Sequence, residues 1–533
     1  MKFLPTRVPY RQTNAFSRIV LDYIDQAKEL KPFFTNAPSY QGIMNAIASR
    51  EAFPTNRKLL VDVLRTQYKD VSNSDKVKAN IEKLLDANCF TVTTAHQNNL
   101  FTGPLYFIYK IVHAIKLADE LNTSIKDKTF VPVFYIGTED ADLQELDHIY
   151  LANEKLEWNT RQTGAVGRMV IDKELLKLID RVEGELGVLP FGKELTGKLR
   201  SFYKTGSTIQ QATFEFVNDL FAEYGLVVLL PDNALLKAGM KQVFEDDLLH
   251  QTASSIVEKT AANLEKASYK VQANPREINL FYLEGDKRER IEKRNDHFIL
   301  IDSQRSFTQE QLLNELVEYP ERFSPNVILR GLFQETILPN IAFIGGGGEL
   351  AYWMQLKDLF DHYKVPFPVL ILRNSFLIAE KKWNMMVRKL GFTLEDLFKN
   401  EQELMNELVR RESKHPVQLN GAMLELQQLY DSFKQQASTI DPTLEIHVEA
   451  LKKGVLHRLQ ELEKKMLRAE RRKFSDQQRQ LHTISGQLFP NKGLQERREN
   501  LGYYYSKWGR EFIHAIYNAS LGMEQEFVVL VEV

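Results

Sequence analysis

Three short stretches hold most of the side chains in this sequence that can carry chemistry. The first is Thr94-Ala-His-Gln-Asn-Asn-Leu-Phe-Thr-Gly-Pro104, set between an apolar strand-like run and an amphipathic helical run. A loop that enters a helix offers free backbone N–H groups and the positive end of the helix dipole, a setting that favours phosphate or carboxylate. His96, Asn98 and Asn99 add side-chain donors, Thr102 can cap the helix, and Gly103 lets a ligand approach the backbone closely. The same residues can equally serve the loop itself as caps. The stretch matches neither Gly-x-Gly-x-x-Gly nor Gly-x4-Gly-Lys-Ser/Thr, so it carries neither the dinucleotide fingerprint nor a P-loop.

The second stretch is Gly137-Thr-Glu-Asp-Ala-Asp-Leu-Gln-Glu-Leu-Asp-His148. Glu139 and Asp140 follow a strand candidate directly, and at that place they can hold a substrate ammonium or act as a base. The plainer reading is acid placement at a helix N-terminus. Asp147 and His148, with Asp142 or Glu139, lack a diagnostic spacing such as His-Glu-x-x-His, so no metal is expected. The third stretch is Gly345-Gly-Gly-Gly-Glu-Leu-Ala-Tyr-Trp-Met-Gln355, where four glycines permit bare amides and unusual backbone angles. Glu349, Tyr352 and Gln355 recur every three residues, close enough on one helical face to read a polar substrate. Arg373 and Asn374 end the last strand candidate and suit an anion, and Arg168 in Thr-Gly-Ala-Val-Gly-Arg is a weaker candidate.

These stretches need a scaffold, and the pattern around them supplies one. Cys89–Ala95 reads as a buried strand; Leu105, Ile108, Val112, Ile115 and Leu121 mark a helix; Val131–Gly137 reads as the next strand. Such a crossover implies parallel pairing. Further strand candidates are Leu226–Pro231, Asn326–Arg330, Asn340–Ile344 and Pro368–Leu372, separated by helix-length segments, so the expected fold is α/β with a doubly wound parallel sheet. Ligands then bind beyond the carboxyl ends of the strands, which places Glu139 and Asp140 at the same rim as His96.

The chain divides accordingly. Residues 1–146 form an N-terminal segment and the first part of the core, 147–200 a connective insertion, 201–249 the core continued, and 250–320 a second insertion. Residues 321–380 complete the core with the glycine-rich loop, 381–485 form a helical arm, and 486–533 return to the core. The first insertion has strand-like pieces around Thr163–Arg168, and the second has Ile278–Leu283 and His297–Ile301. Beyond Asn374 the chain turns helical. Leu419, Met423, Leu426, Tyr430, Phe433, Ala437 and Ile440 alternate steps of four and three, a coiled-coil seam. Asp441-Pro442 breaks the helix, and Val448 to Ala469 form a second one with a stutter, giving an antiparallel hairpin ~40 Å long at 1.5 Å per residue.

Composition narrows the partners. In 533 residues, 69 Lys and Arg stand against 71 Asp and Glu, so no net field recruits nucleic acid or an anionic membrane. The single cysteine, Cys89, excludes an intramolecular disulfide and a multi-cysteine zinc site, and favours a reducing compartment. The first residues carry no apolar leader, and no uncharged apolar run approaches the ~20 residues that span a bilayer. The sequence therefore reads as a soluble, cytoplasmic protein.

Taken together, His96–Tyr106, Pro132–Asp142, Gly345–Trp353, the helical hairpin and Leu494-Gln-Glu-Arg497 resemble the BshC family over nearly the whole chain. The resemblance implies a nucleotidyl-transferase-like Rossmann core with connective subdomains and a homodimer through the coiled-coil arm. It also implies a ligase that joins cysteine to the amino group of glucosaminyl malate, the last step to bacillithiol. An amide made from a free carboxylate needs activation, most economically by ATP through an acyl-adenylate. On that reading the His96 loop holds phosphates, Glu139 or Asp140 orients an ammonium, and Glu349 with Tyr352 reads the acceptor. The synthetase signatures H-I-G-H and K-M-S-K-S are absent. His96-Gln-Asn-Asn occupies the place of the first, and Lys204-Thr-Gly-Ser-Thr208 lies too early for the second. The rival expectation is a coiled-coil scaffold whose core binds a nucleotide or metabolite without catalysis.

Overall fold

In chain order, the elements that build the site begin with β1 (Phe3–Pro9), helix α1 (Tyr40–Glu51), β2 (Cys89–Gln97), helix α2 (Tyr106–Ser124) and β3 (Thr129–Gly137). A hairpin of β4 (His148–Leu151) and β5 (Glu154–Glu157) precedes β6 (Val227–Leu229) and the short helix α3 (Ala234–Ala238). The second insertion supplies β7 (Leu280–Glu284), β8 (Lys287–Arg294), β9 (His297–Leu300) and β10 (Ser306–Thr308), and β11 (Phe323–Pro325) follows directly after it. Helix α4 (Val327–Ile337) leads into β12 (Asn340–Gly345), helix α5 (Gly347–Gln355) and β13 (Val369–Leu372). After β14 (Phe376–Ala379) come helices α6 (Asn420–Ile440) and α7 (Leu444–Arg471), and β15 (Glu526–Glu532) closes the order. The structure is a computed structural model and describes residues 2–72, 74–285 and 287–533.

The core sheet runs β13-β12-β2-β3-β6, with every neighbouring pair parallel. From β2 the chain winds outward through β3 to β6, then crosses back to lay β12 on the other side of β2. This is the strand order of a doubly wound Rossmann-type sheet, and the reversal opens a crevice at the carboxyl ends of β2 and β12. Helices cover both faces, which is why these strands are apolar runs rather than alternating ones: β12 is buried throughout and β2 from Cys89 to Ala95. On one face Ile43 and Ile47 of α1 and Leu117 and Leu121 of α2 pack on Phe90, Val92, Ile344 and Ile371. Phe343 points the other way, as the pleat requires, and its ring stacks on Trp353 of α5 with centroids 4.4 Å apart.

The second insertion and β11 form an antiparallel sheet of their own, β10-β9-β8-β7-β11. Beside the core, Arg50 of α1 and Glu335 of α4 form an ion pair at 2.8 Å with both side chains fully buried. Arg50 also donates to the Glu335 and Pro366 carbonyls, and Glu335 Oε1 accepts from Gln334 and Asn340. Both Arg50 Nη atoms and both Glu335 carboxylate oxygens are thus hydrogen-bonded, and of the pair's side-chain polar atoms only Arg50 Nε lacks a partner among the described residues, so the buried charges are largely compensated.

Three expectations are corrected. Asn326–Arg330 is the start of helix α4, not a strand. The Asn326 side chain accepts from the Ile328 amide at 2.8 Å as an N-cap, and the apolar run goes on to Ile337 with helical spacing, an ambiguity that short apolar runs always carry. Thr163–Arg168 contains no strand; Val166–Arg168 is a single tight helical turn, and the strands of that insertion are the β4–β5 hairpin. Beyond Asn374 the chain first makes β14 before it turns helical.

By contacts the chain falls into two compact units. The larger is built from Ala15–Leu377 and Leu494–Leu530, and the smaller is centred on Ile378–Gly493. In the smaller unit α6 and α7 pack as a hairpin, broken where expected at Asp441-Pro442, with the Asp441 carboxylate accepting from the Thr443 amide at 2.8 Å. Helix α6 buries none of its residues. Among the described residues no helix is long and apolar enough to cross a membrane.

Replacing Glu335 by Ala strands a buried guanidinium. The expected cost is about 3–5 kcal/mol, read as a lower denaturant midpoint for the larger unit; a loss under about 1 kcal/mol would mean that Arg50 finds solvent instead.

Candidate active site

The crevice at the strand reversal is a cavity of about 510 Å³, within the range typical of small-molecule sites. His96 and Gln97 reach it from the end of β2, Thr138, Glu139 and Asp140 from the end of β3, and Gly346–Gly348 from the end of β12. The second insertion contributes Phe281 and Arg288, β11 contributes Pro325, α4 contributes Arg330, and the C-terminal return contributes Arg497.

The glycine-rich turn opens α5. Glu349 reaches back to accept from the Gly346 amide at 2.8 Å, fixing the turn, and the helix's first amides have no acceptor within the helix. A side chain at Gly347 would meet Val20 Cγ2 at 2.9 Å, whereas one at Gly348 would meet nothing within 4 Å. Glu349 Oε2 also takes the Lys110 ammonium at 2.5 Å, and Lys110 Nζ donates to the Ala95 carbonyl at 2.7 Å. Glu349 is therefore committed to the frame of the cavity as well as facing it. Arg330 donates to the Tyr352 hydroxyl oxygen at 2.6 Å. Burial raises the Tyr352 pKa, so the phenol stays protonated and its own hydrogen is free to donate.

Charges of both signs line the cavity. Arg288 lies over the Phe281 ring at 3.7 Å and donates to Ser324, while Arg330 lies over the Tyr135 ring at 5.9 Å and donates to the Tyr352 hydroxyl. Among the described residues Arg288, Arg330 and Arg497 have no carboxylate within ion-pair distance. Arg373 is spoken for, paired to Glu496 at 2.6 Å. On the acid side Asp140 accepts from Gln97 at 2.5 Å. Glu139 is held by the buried Lys237; burial pushes its carboxyl pKa up and Lys237 opposes that. His96 sits edge-on to Tyr106 and Phe107. Its Nε2 is buried without a partner, and burial, with Lys110, Arg373 and Arg330 adding to it, holds its pKa well below 6.5. The imidazole is neutral at physiological pH.

Of the residues singled out from the sequence, His96, Glu139, Asp140, Glu349, Tyr352 and Arg373 converge on this cavity. The others lie elsewhere. Asn98, Asn99, Thr102 and Gly103 turn into the protein beneath it. There Phe101, Thr102 and Gly103 run through three successive left-handed backbone conformations, φ 48°, 71° and 56°. A side chain at Gly103 would strike Asn99 at 2.6 Å, so the glycine serves packing rather than ligand approach. The Asn500 amide donates to the Phe101 and Gly103 carbonyls at 3.0 and 2.6 Å, and the Leu105 amide donates to the Glu499 carbonyl at 2.7 Å. Gln355 is fully buried and bonded to the backbone of Gln272 and Ala273. Asn374 is buried, its side-chain oxygen accepting from the Leu521 amide. Arg168 lines no part of the cavity and pairs with Asp232 at 2.7 Å.

Sequence reasoning missed Arg288, Arg330, Arg497, Lys110 and Lys237. Two signals were available. Lys110 interrupts the apolar face of α2 between Ile108 and Ile111, and a charge there requires a partner. Glu496 and Arg497 stand in the Leu494-Gln-Glu-Arg497 stretch, whose first acid pairs with Arg373 and whose arginine reaches the cavity.

Comparison with known proteins places this geometry. Residues 5–374 match the family model described as "Bacillithiol biosynthesis BshC, N-terminal Rossmann-like domain", and residues 376–532 match "Bacillithiol biosynthesis BshC, C-terminal coiled-coil domain". A protein of Flavobacterium johnsoniae is 36% identical over 98% of this chain and 99% of its own length. One of Cytophaga hutchinsonii is 37% identical over 94% of each, and one of Flavobacterium psychrophilum 38% identical over 96% of each. All three bear the name "Putative cysteine ligase BshC".

The neutral state of His96 is directly measurable. With histidine labelled at ring carbons, and His96→Gln to assign its signal, the His96 resonance should stay constant from pH 6 to 8 while exposed histidines titrate. A midpoint near 6.5 would show a solvated ring.

Proposed function

This chain belongs to the BshC family, and on that footing we propose that it is a ligase joining the carboxyl group of cysteine to the amino group of glucosaminyl malate, with ATP as the source of activation. The observation that carries the reading is that one cavity is lined both by Glu139 and Asp140 and by three arginines that, among the described residues, have no carboxylate within ion-pair distance. A substrate that bears an amine and carboxylates matches that pairing of charges. Glu139 and Asp140 take the ammonium and release it as the amine becomes the nucleophile. Arg288, Arg330 and Arg497 take the malate carboxylates, and the Tyr352 hydroxyl donates to the sugar. Neutral His96, which lines the cavity, borders the reacting carbonyl without adding charge.

The glycine-rich turn suits a nucleotide's phosphates. Gly348 leaves open space where a side chain would stand, the first amides of α5 face the cavity, and a helix N-terminus favours anions. Bound there, ATP supplies a leaving group for the cysteine carboxyl. In this assignment the phosphates belong to the Gly346–Gly348 turn rather than to the His96 loop, which turns into the protein, its Phe101 and Gly103 carbonyls taken by Asn500 and the following Leu105 amide by the Glu499 carbonyl. We place the reaction in the cytoplasm, where ATP and free cysteine are supplied.

The smaller unit supports a homodimer. Along the hairpin Leu429, Phe433, Ile440, Ile446 and Leu451 remain 44–80% exposed, and an apolar seam left open by its own hairpin partner calls for another helix pair.

Incubating the protein with cysteine, glucosaminyl malate and ATP should yield the amide by mass spectrometry, with no product when ATP is omitted. Arg330→Ala should lower kcat/KM about thirtyfold or more, the value of a charge-assisted hydrogen bond. Binding of ATP by folded protein with no product under any combination would favour the scaffold reading. In light scattering the chain should run at twice its monomer mass, and Phe433→Glu with Ile440→Glu should reduce it to monomer without unfolding the larger unit.

A further inference from the structure

Lys237 is fully buried, on a helix of five residues, and no motif drew attention to it. An ammonium has three donors, and each finds an acceptor here: Glu139 Oε1, Asp232 Oδ1 at 2.9 Å and the Glu321 carbonyl at 3.0 Å. Asp232 is held in turn by Arg168, Nε to Oδ2 at 2.7 Å and Nη2 to Oδ1 at 2.9 Å, and Arg168 Nη2 also reaches the Glu321 carbonyl at 3.3 Å. Four segments meet in this cluster: the end of β3, the first insertion through Arg168, the stretch after β6, and the turn before β11 through Glu321.

We propose that Lys237 is the positioning residue for Glu139, fixing one carboxylate oxygen so that the other is presented to the cavity as a permanent anion for the substrate ammonium. Among the described residues no protein donor takes Glu139 Oε2. With two cations and two carboxylates the cluster is neutral, so a buried anion is kept without net buried charge. Besides Lys237, the groups that face Glu139 are Asp232, Arg168 beyond it, Arg288 across the cavity, neighbouring Asp140 and the Tyr135 ring. Only Lys237 touches it. The assignment rests on the proposed role of Glu139, and Asp232 with Arg168 acts by holding Lys237 in place.

The test is the pH dependence of melting and of ligand binding in wild type, Lys237→Met, Glu139→Gln and the double variant. Without Lys237, burial and the Asp232 charge act on Glu139 with Arg288 left to oppose them, and its folded-state pKa moves further above the unfolded value. The folded variant then binds a proton that the unfolded chain does not. Its extra stability is present at low pH and lost as pH rises through the raised pKa, so Lys237→Met should show a steeper fall in melting temperature across pH 5 to 8 than wild type, where Lys237 offsets part of the same rise. The double variant should lose that added slope, because Gln does not titrate. At pH 7 calorimetry should show glucosaminyl malate binding to Lys237→Met weakened about tenfold or more, the value of a hydrogen bond to a charged group that a protonated Glu139 no longer offers the ammonium. An added slope that persists in the double variant, or a slope in Lys237→Met no steeper than in wild type, overturns the proposal and leaves Lys237 as a strut for the turn before β11. Should Lys237→Met not fold, recovery of folded protein in the double variant supports the pairing, and its failure there too overturns it. Equal binding of glucosaminyl malate by wild type and Glu139→Gln would instead remove the ammonium role, a result the melting slopes do not depend on.

Discussion

A buried guanidinium and a buried carboxylate tie the two ends of the Rossmann unit together. Arg373 stands at the end of the last core strand, and Glu496 lies in the C-terminal return. The pair at 2.6 Å is reinforced by Arg373 donating to Ser375 Oγ and the Asn374 carbonyl, and by Glu496 Oε2 accepting from the Phe376 amide. Tyr10 donates to the Arg373 carbonyl, so the N-terminal region joins the same knot. Breaking one partner of such a pair costs about 3–5 kcal/mol. Here it would also release the segment that carries Arg497 to the cavity and the one that carries Asn500 to the loop beneath His96.

The boundary between the two matched family domains lies at residues 374–376, but the cavity does not respect it. Leu494–Leu530 packs with the Rossmann unit, and this return supplies one of the three unpaired arginines. The coiled-coil hairpin is therefore an excursion between a strand and its own closing segment. That arrangement lets a long arm be added while the cavity is lined by residues from both sides of it in the sequence.

Much of this was legible in the sequence, for identifiable reasons. A parallel sheet delivers its functional side chains at strand ends, so Glu139, Asp140 and the glycine-rich turn could be placed at one rim from periodicity alone. Direction of side chains within a loop is another matter. Asn98, Asn99 and Thr102 look like ligand donors by type, yet three left-handed residues in a row turn them inward, and nothing local in Leu-Phe-Thr-Gly announces that geometry. Gln355 lies three residues after Tyr352, but three residues turn a helix by about 300° rather than a full circle, and Gln355 faces the core, where it satisfies the backbone of Gln272 and Ala273. The arginines were hidden differently. Arg330 lies inside an apolar run that reads as strand, and Arg288 belongs to a charged hairpin whose approach to the rim depends on how the second insertion folds back.

The loop under His96 is held by Asn500, which lies 397 positions along the chain from Gly103. Contacts of such sequence separation are slow to form, since chain closure must precede any gain from them. During synthesis the parallel sheet can assemble once β13 has emerged, while the strained turn at its rim has no partner until the arm has been made. Maturation of the pocket is thus a late event, timed by the far end of the polypeptide. Until then the chain can hold a nearly complete Rossmann sheet whose chemistry is still switched off.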